Sequence, residues 1–278
     1  MLLQRVITAV VLLALLLPAL LAASPLPFAA LTLLMVGAAG WEWGRLNGLA
    51  PAGAMALGAA VALTCAAAWA AGWALSAPPA TWWLAVAAWV LGGALALRAG
   101  PAAWPHMARA ARLGLGWLVL SVAWLALAAA RQRGLGFILS AMCIVWAADI
   151  AAYFGGRSFG RRKLALSISP GKSWEGVWSG MLGVGLLAWA WLALEAHWPP
   201  AGPSVFASLL GAFGPVGLVA CLAALSGLSV VGDLMESLAK RAVGAKDSSR
   251  LLPGHGGVLD RVDALLPVLP AVMALASV

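Results

Sequence analysis

The chain has 278 residues, 64% of them apolar and only 9% charged, with a mean hydropathy of +0.98. That composition excludes a large soluble domain and reads as one integral membrane domain over residues 1–278. The formal charge of +8 does not point to nucleic acid, because the basic residues border apolar runs instead of forming a soluble face; anionic lipid and phosphate groups are the expected partners.

An α-helix needs about 20 apolar residues to cross a hydrocarbon core of about 30 Å. Runs of that length predict an all-α, polytopic integral membrane protein with about nine transmembrane helices, near 5–24, 26–44, 53–75, 81–98, 112–130, 135–154, 175–195, 206–231 and 260–278. Arg5 before the first run also fits a secretory leader, but the run is long and no soluble sequence follows it, so it is read as a helix. Gly214-Pro215 is expected to kink the eighth span. Cys65, Cys143 and Cys221 stand singly in apolar runs, which argues against disulfides and structural zinc.

Nine spans divide the seventeen Lys and Arg residues unequally. Fifteen fall on the side of the N-terminus, and only Arg131 and Arg133 fall on the other. The positive-inside rule then predicts a cytoplasmic N-terminus and an outward C-terminus. Glu42, near the end of span two beside Trp41, Trp43 and Arg45, reads as an interfacial carboxylate paired with Arg45. His106 and His197 have no partners at ligand spacing.

Polar chemistry begins in the sixth span, in a segment covering 149–176. Asp149 and Tyr153 lie one turn apart, and a carboxylate inside a span is a functional candidate by default, with pairing to a nearby Arg as the structural alternative. The following loop carries Arg161, Lys163, Ser169, Lys172 and Glu175. Gly171-Lys172-Ser173 is not a P-loop, since Leu166 stands where that motif needs glycine and no strand is expected before it. A turn placing a lysine at a helix start, where N–H groups favour an anion, is the expected form.

The stretch 232–263 holds five of the nine acidic residues and five of the seventeen basic ones. Asp233, Glu236 and Lys240 share a helix face at i, i+3 and i+7, as do Asp260 and Asp263 at i, i+3. Pro253-Gly254-His255-Gly256-Gly257 between them cannot be regular helix. Carboxylates beside lysines and arginines suit a polyphosphate substrate held with Mg²⁺.

In order, Ser237, Lys240-Arg241, Lys246-Asp247, Ser249, Leu252-Pro253, His255-Gly256-Gly257-Val258 and Asp260-Arg261-Val262-Asp263 closely resemble the signature of the phosphatidate cytidylyltransferases. Ala239 departs from it, where a larger apolar residue is usual, and segment 149–176 resembles a second characteristic stretch of the family. The resemblance implies a Mg²⁺-dependent nucleotidyltransferase of phospholipid biosynthesis in the inner membrane. It would join CTP and phosphatidic acid into CDP-diacylglycerol and pyrophosphate on the cytoplasmic side.

On that reading Asp233 and Asp260 are metal ligands, with Asp263 a further ligand or an orienting group. Lys240, Arg241 and Lys246 hold the triphosphate, and His255 approaches phosphate or makes a structural hydrogen bond within the bend. Asp149, Tyr153, Arg161, Lys163, Ser169, Lys172 and Glu175 are left to bind lipid phosphate or nucleotide. Two other classes share these features, an anion transporter and a CTP-dependent polyprenol kinase. The crowding of polar residues into the second half weighs against the transporter, and reaction products separate the kinase. Oligomeric state stays open, a homodimer included.

Overall fold

The computed structural model of the chain describes residues 2–198 and 202–278. In order come α1 (Leu2–Leu21), α2 (Leu26–Leu46), α3 (Pro51–Ala70), the single-turn α4 (Trp73–Ser76), α5 (Pro79–Ala99), α6 (Arg109–Gln132), α7 (Leu135–Phe159), α8 (Trp174–His197) and α9 (Val205–Ala242), then α10 (Leu259–Val262) and α11 (Leu265–Leu275). Proline in the first turn opens α2, α3 and α5, where its missing N–H would have had no partner anyway. Ser173 and Ser204 cap α8 and α9 through the N–H groups of Gly176 and Ala207. Leu34, Leu63, Leu95 and Val216 stand exposed on the helix flanks, as a lipid solvent requires.

Among the described residues eight helices are long and apolar enough to cross a membrane, so the chain is an all-α polytopic membrane protein. The predicted ninth span takes a different form. At 1.5 Å per residue the eleven residues of α11 reach only about 16 Å, and Leu265 to Ala274 are buried against α5, α6 and α9. In α9 the expected kink is present: Gly214, at φ +67°, separates helical stretches at 205–213 and 215–242.

Small residues set the closest helix contacts. A Cβ on Gly180 would lie 3.0 Å from the Ala148 carbonyl, and one on Gly176 3.0 Å from that of Ala152, so α7 and α8 meet backbone to backbone. A Cβ on Gly232 would fall 2.5 Å from the Asp263 carbonyl, which brings α9 equally close to the α10–α11 junction. Because α7 runs on to Phe159, Asp149 lies about 15 Å below the helix end, deeper than the five residues expected.

The loop after α7 is also more ordered than a turn. Lys163–Ala165 (β1) and Ser169–Ser173 (β2) pair antiparallel, so Lys172 sits on a strand, immediately before the cap of α8.

The far end of the bundle gathers the chain terminus and the α6–α7 turn. Arg133 Nη1 donates to the Ala276 carbonyl at 3.0 Å, and Arg131 donates to the carbonyls of Leu20 and Ala22. The hairpin and the stretch after α9 lie at the opposite end. Cysteines placed at Lys163 and Val278, in a chain with Cys65, Cys143 and Cys221 replaced, should therefore label from opposite faces of sealed vesicles. Labelling of both from one face would contradict this arrangement.

Candidate active site

The last turns of α9 present Asp233, Glu236, Ser237 and Lys240 toward the bend that follows. Lys240 forms an i, i+4 ion pair with Glu236, and its Nζ lies 2.6 Å from Asp260 Oδ1. All three side chains are almost wholly buried. Asp260 also accepts from the N–H of Ser248, at 2.9 Å to Oδ2, from the Ser248 hydroxyl at 2.9 Å and from the N–H of Gly257 at 2.7 Å. Burial alone would raise the Asp260 carboxyl. The Lys240 ammonium and the Gly257 and Ser248 N–H groups outweigh that and hold it below the usual carboxylate range.

Behind Asp260 stands the residue that sequence reasoning misplaced. Glu42 does not pair with Arg45, whose guanidinium stacks over Trp41 at 4.9 Å. It is completely buried. Oε1 accepts from the Ser249 hydroxyl at 2.5 Å and the Val258 N–H at 3.0 Å, and Oε2 from the Ser248 hydroxyl at 3.1 Å and the Leu259 N–H at 2.7 Å. The carboxylate thus caps the start of α10 from a different part of the chain. Ser248 has a single proton for two carboxylates, Glu42 and Asp260, and so links them. Gly257 is required here, because a Cβ would lie 2.4 Å from Glu42 Oε1 and 2.0 Å from Ser248 Oγ.

A second group adjoins the first. Lys172 Nζ lies 2.5 Å from Asp233 Oδ2, with both side chains half-buried. Asp149 and Asp263 each sit within the field of Asp233 and of Lys172. Strand β2 therefore delivers a lysine among three aspartates contributed by α7, α9 and the α10–α11 junction. With Glu236 and Asp260 included, the chamber sets five carboxyl groups against two lysines.

Its oxygen donors fit a hard divalent cation. Among the described residues no three Asp, Glu, His or Cys side chains form a ready-made ligand cluster. Mg²⁺ needs no such cluster, since it is commonly held by one or two carboxylates with water and substrate phosphate completing the shell. Asp233, Asp263 and Asp149 have capacity to spare for it, whereas both oxygens of Asp260 already serve protein donors.

Other predicted residues are distributed around this chamber. Arg161 and Lys163 are exposed on the hairpin, Lys246 is exposed on the loop after α9, and Ser169 is half-buried in β2. Arg241 donates to the carbonyls of Ile168 and Ala245, pinning the hairpin to α9. Glu175 accepts from the Arg161 and Arg162 N–H groups and the Arg162 guanidinium, so its carboxylate is used to hold the loop. Tyr153 is exposed on α7 and accepts from Arg157. His255 donates its N–H to the Leu252 carbonyl and accepts at its own carbonyl from Arg261, while its buried Nδ1 has no hydrogen-bond partner among the described residues.

Glu42→Gln tests the cap. Both carboxylate oxygens face donors, so either orientation of the amide sets its NH₂ against a backbone N–H. The expected loss is about 1–3 kcal/mol of stability, read as a lower unfolding midpoint in detergent. Glu42→Asp keeps the charge but retreats by one methylene and should fall between. Wild-type melting of Glu42→Gln would show that the bend holds without this carboxylate.

Residues 3–278 match the family model described as the cytidylyltransferase family. A phosphatidate cytidylyltransferase of Pseudomonas aeruginosa is 41% identical over 99% of this chain and 97% of its own length. Relatives of the same name match about half of the chain: 45% identity with the Haemophilus influenzae protein, covering 50% of this chain and 44% of that one, and 40% with the Bacillus subtilis protein, covering 50% and 46%. With a family model spanning nearly every residue and a near-full-length relative at this identity, the chain belongs to the cytidylyltransferase family.

Proposed function

We propose that the chain is a phosphatidate cytidylyltransferase, forming CDP-diacylglycerol and pyrophosphate from CTP and phosphatidic acid. The observation that carries this reading is the chamber of Asp149, Lys172, Asp233, Lys240, Asp260 and Asp263 within a membrane bundle of this family. A phosphate monoester oxygen of the lipid attacks the α-phosphorus of CTP. The bond from that phosphorus to the oxygen bridging to the β-phosphate breaks, and pyrophosphate leaves. The attacking oxygen is already anionic, so no protein base has to remove a proton.

The protein's work is therefore positioning and charge neutralisation. Lys172, with Lys163, Arg161 and Lys246 around the opening, neutralises the triphosphate and the departing pyrophosphate. Asp233 and Asp263, with Asp149 beside them, would hold Mg²⁺, which would supply charge neutralisation and Lewis-acid polarisation to the phosphates. Asp260 and Glu236 fix Lys240 as a buried cation facing the same chamber. The charge split of fifteen to two supports a cytoplasmic opening, where CTP is available.

Incubation with CTP labelled at the α-phosphate, Mg²⁺ and phosphatidic acid in detergent micelles should give a labelled CDP-lipid and unlabelled pyrophosphate. Labelled CDP with a phosphorylated alcohol would instead indicate a kinase. Asp233→Asn leaves Lys172 half-exposed and screened, so stability should change by about 1 kcal/mol or less, while activity falls roughly 10²-fold. Asp260→Asn should lower both activity and melting midpoint, because an amide cannot serve donors on both of its sides. Near-normal turnover of Asp233→Asn would remove the metal assignment.

A further inference from the structure

Consecutive residues of α10 face two different surroundings. Asp260 points to Lys240 and Ser248, inside the polar chamber. Arg261, about 100° further round the helix, lines an apolar cavity of about 340 Å³ together with Val258 and Val262. The cavity continues between α1, α2, α6, α7 and α11, walled by Leu12, Leu16, Met35, Trp124, Trp146 and Leu269. From Arg261 to Leu269 it descends about 12 Å along the helical path, well into the hydrocarbon depth.

Its volume falls within the roughly 300–1,000 Å³ range of ligand sites, and its walls are almost entirely carbon. A dry cavity lined this way retains apolar molecules and not water. The rim has the opposite character. Arg261 is exposed, and among the described residues only its Nε is engaged, by the His255 carbonyl. Arg5 lies against Gly254 of the same bend, and the Thr8 hydroxyl donates to the Pro253 carbonyl at 2.9 Å, which fastens α1 over the mouth. Arg261 therefore stands at the rim of a hydrocarbon slot, with Arg5 against the adjoining bend.

The geometry points to this cavity as the seat of an acyl chain of the phosphatidic acid substrate, with Arg261 receiving the lipid phosphate at its mouth. This assignment rests on the phosphatidate reading above. An anionic head with an apolar tail matches both halves of the cavity. Its phosphate would rest one residue from Asp260, beside the chamber proposed for CTP. A guanidinium suits a phosphate monoester because it donates two parallel hydrogen bonds to it. The hairpin and Lys246 are then left to the triphosphate, which separates the two anionic substrates on the two sides of α10.

Two filling variants test the cavity. Leu12→Trp fills it from α1 at the bundle edge, and Ala123→Phe fills it from α6. With a long-chain phosphatidic acid either should raise KM for the lipid about tenfold or more, the effect of expelling two methylenes, with KM for CTP unchanged. Dihexanoyl phosphatidic acid should be used nearly as well as by the wild type, whereas Arg261→Gln should raise lipid KM for both chain lengths.

Native mass spectrometry in mixed micelles of phosphatidic acid and phosphatidylcholine supplies a readout that needs no turnover. The wild type should retain phosphatidic acid, and Leu12→Trp should lose it. Preferential retention that Leu12→Trp abolishes, in a protein that makes no CDP-lipid, would uphold the cavity and overturn the proposed reaction. An active enzyme whose lipid KM and retained lipid ignore Leu12→Trp would overturn the cavity alone. Equal retention of phosphatidylcholine, or equal effects on long and short chains, would also overturn it, the first by reducing the occupant to an ordinary membrane lipid. Ala123→Phe is informative only as folded protein; Leu12→Trp, at the edge of the bundle, decides the question if it is not.

Discussion

A carboxylate sealed from water inside a helical bundle is stable only when every oxygen meets a donor, and Glu42 satisfies that condition with groups more than 200 residues further along the chain. The chain after α9 has little regular structure of its own, since Pro253 and three glycines prevent a continuous helix there. What fixes it is the pair of hydroxyls from Ser248 and Ser249 and the pair of N–H groups from Val258 and Leu259, all converging on one side chain of α2. Because Ser248 also serves Asp260, and Asp260 holds Lys240, a sequence of contacts runs from α2 through the bend to α9. A displacement of the Glu42 carboxylate would pass directly to the cation at its other end.

The second constraint is backbone proximity. Asp233 and Asp263 come together because Gly232 lets α9 touch the Asp263 carbonyl, and Lys172, just before α8, comes beside Asp149 because α7 and α8 meet at glycine and alanine. Side chains as short as Asp cannot bridge helices held apart by Leu or Phe, so the small residues are a condition of the chemistry as well as of the packing. The repulsion among Asp149, Asp233 and Asp263 is offset by Lys172 from the hairpin. A chamber built this way is poised for positive charge and presents further cations at its opening to phosphates.

Much of the fold was legible because span length is a one-dimensional property: an apolar run of the right length is a helix in lipid whatever it touches. The i, i+3, i+7 face of Asp233, Glu236 and Lys240 was legible for a similar local reason, and the structure places Lys240 against Glu236 as that spacing requires. Hydropathy could not show that the last crossing is made by a short α11 buried in protein, because burial in protein and exposure to lipid select the same residues. The hairpin is not legible in the sequence because Lys163–Ala165 is only three residues long and Ser169–Ser173 is rich in serine, glycine and proline. Glu42 was misread for a deeper reason. Its neighbours in sequence, Trp41 and Arg45, are those of an interfacial carboxylate, and its actual partners come from the other end of the chain. The usable signal was the lone carboxylate itself, which in a span asks for a partner beyond its own helix.

Reaction between a water-soluble nucleotide and a bilayer lipid imposes a problem of solvent. One substrate needs cations and polar donors, the other needs hydrocarbon, and their reacting phosphates must meet within bonding distance. A short helix that turns Asp260 toward one environment and Arg261 toward the other meets that need with two adjacent residues. Such a divider must be rigid, since a wall that fluctuated would let water into the apolar side and disperse the charges on the polar side. Only four residues long, α10 cannot be rigid by its own hydrogen bonds. Its rigidity is supplied from outside, by the Glu42 carboxylate at its N-terminal N–H groups and by the close packing of Gly232 against its C-terminal end. The same buried carboxylate that orders the bend therefore also maintains the boundary between the two environments.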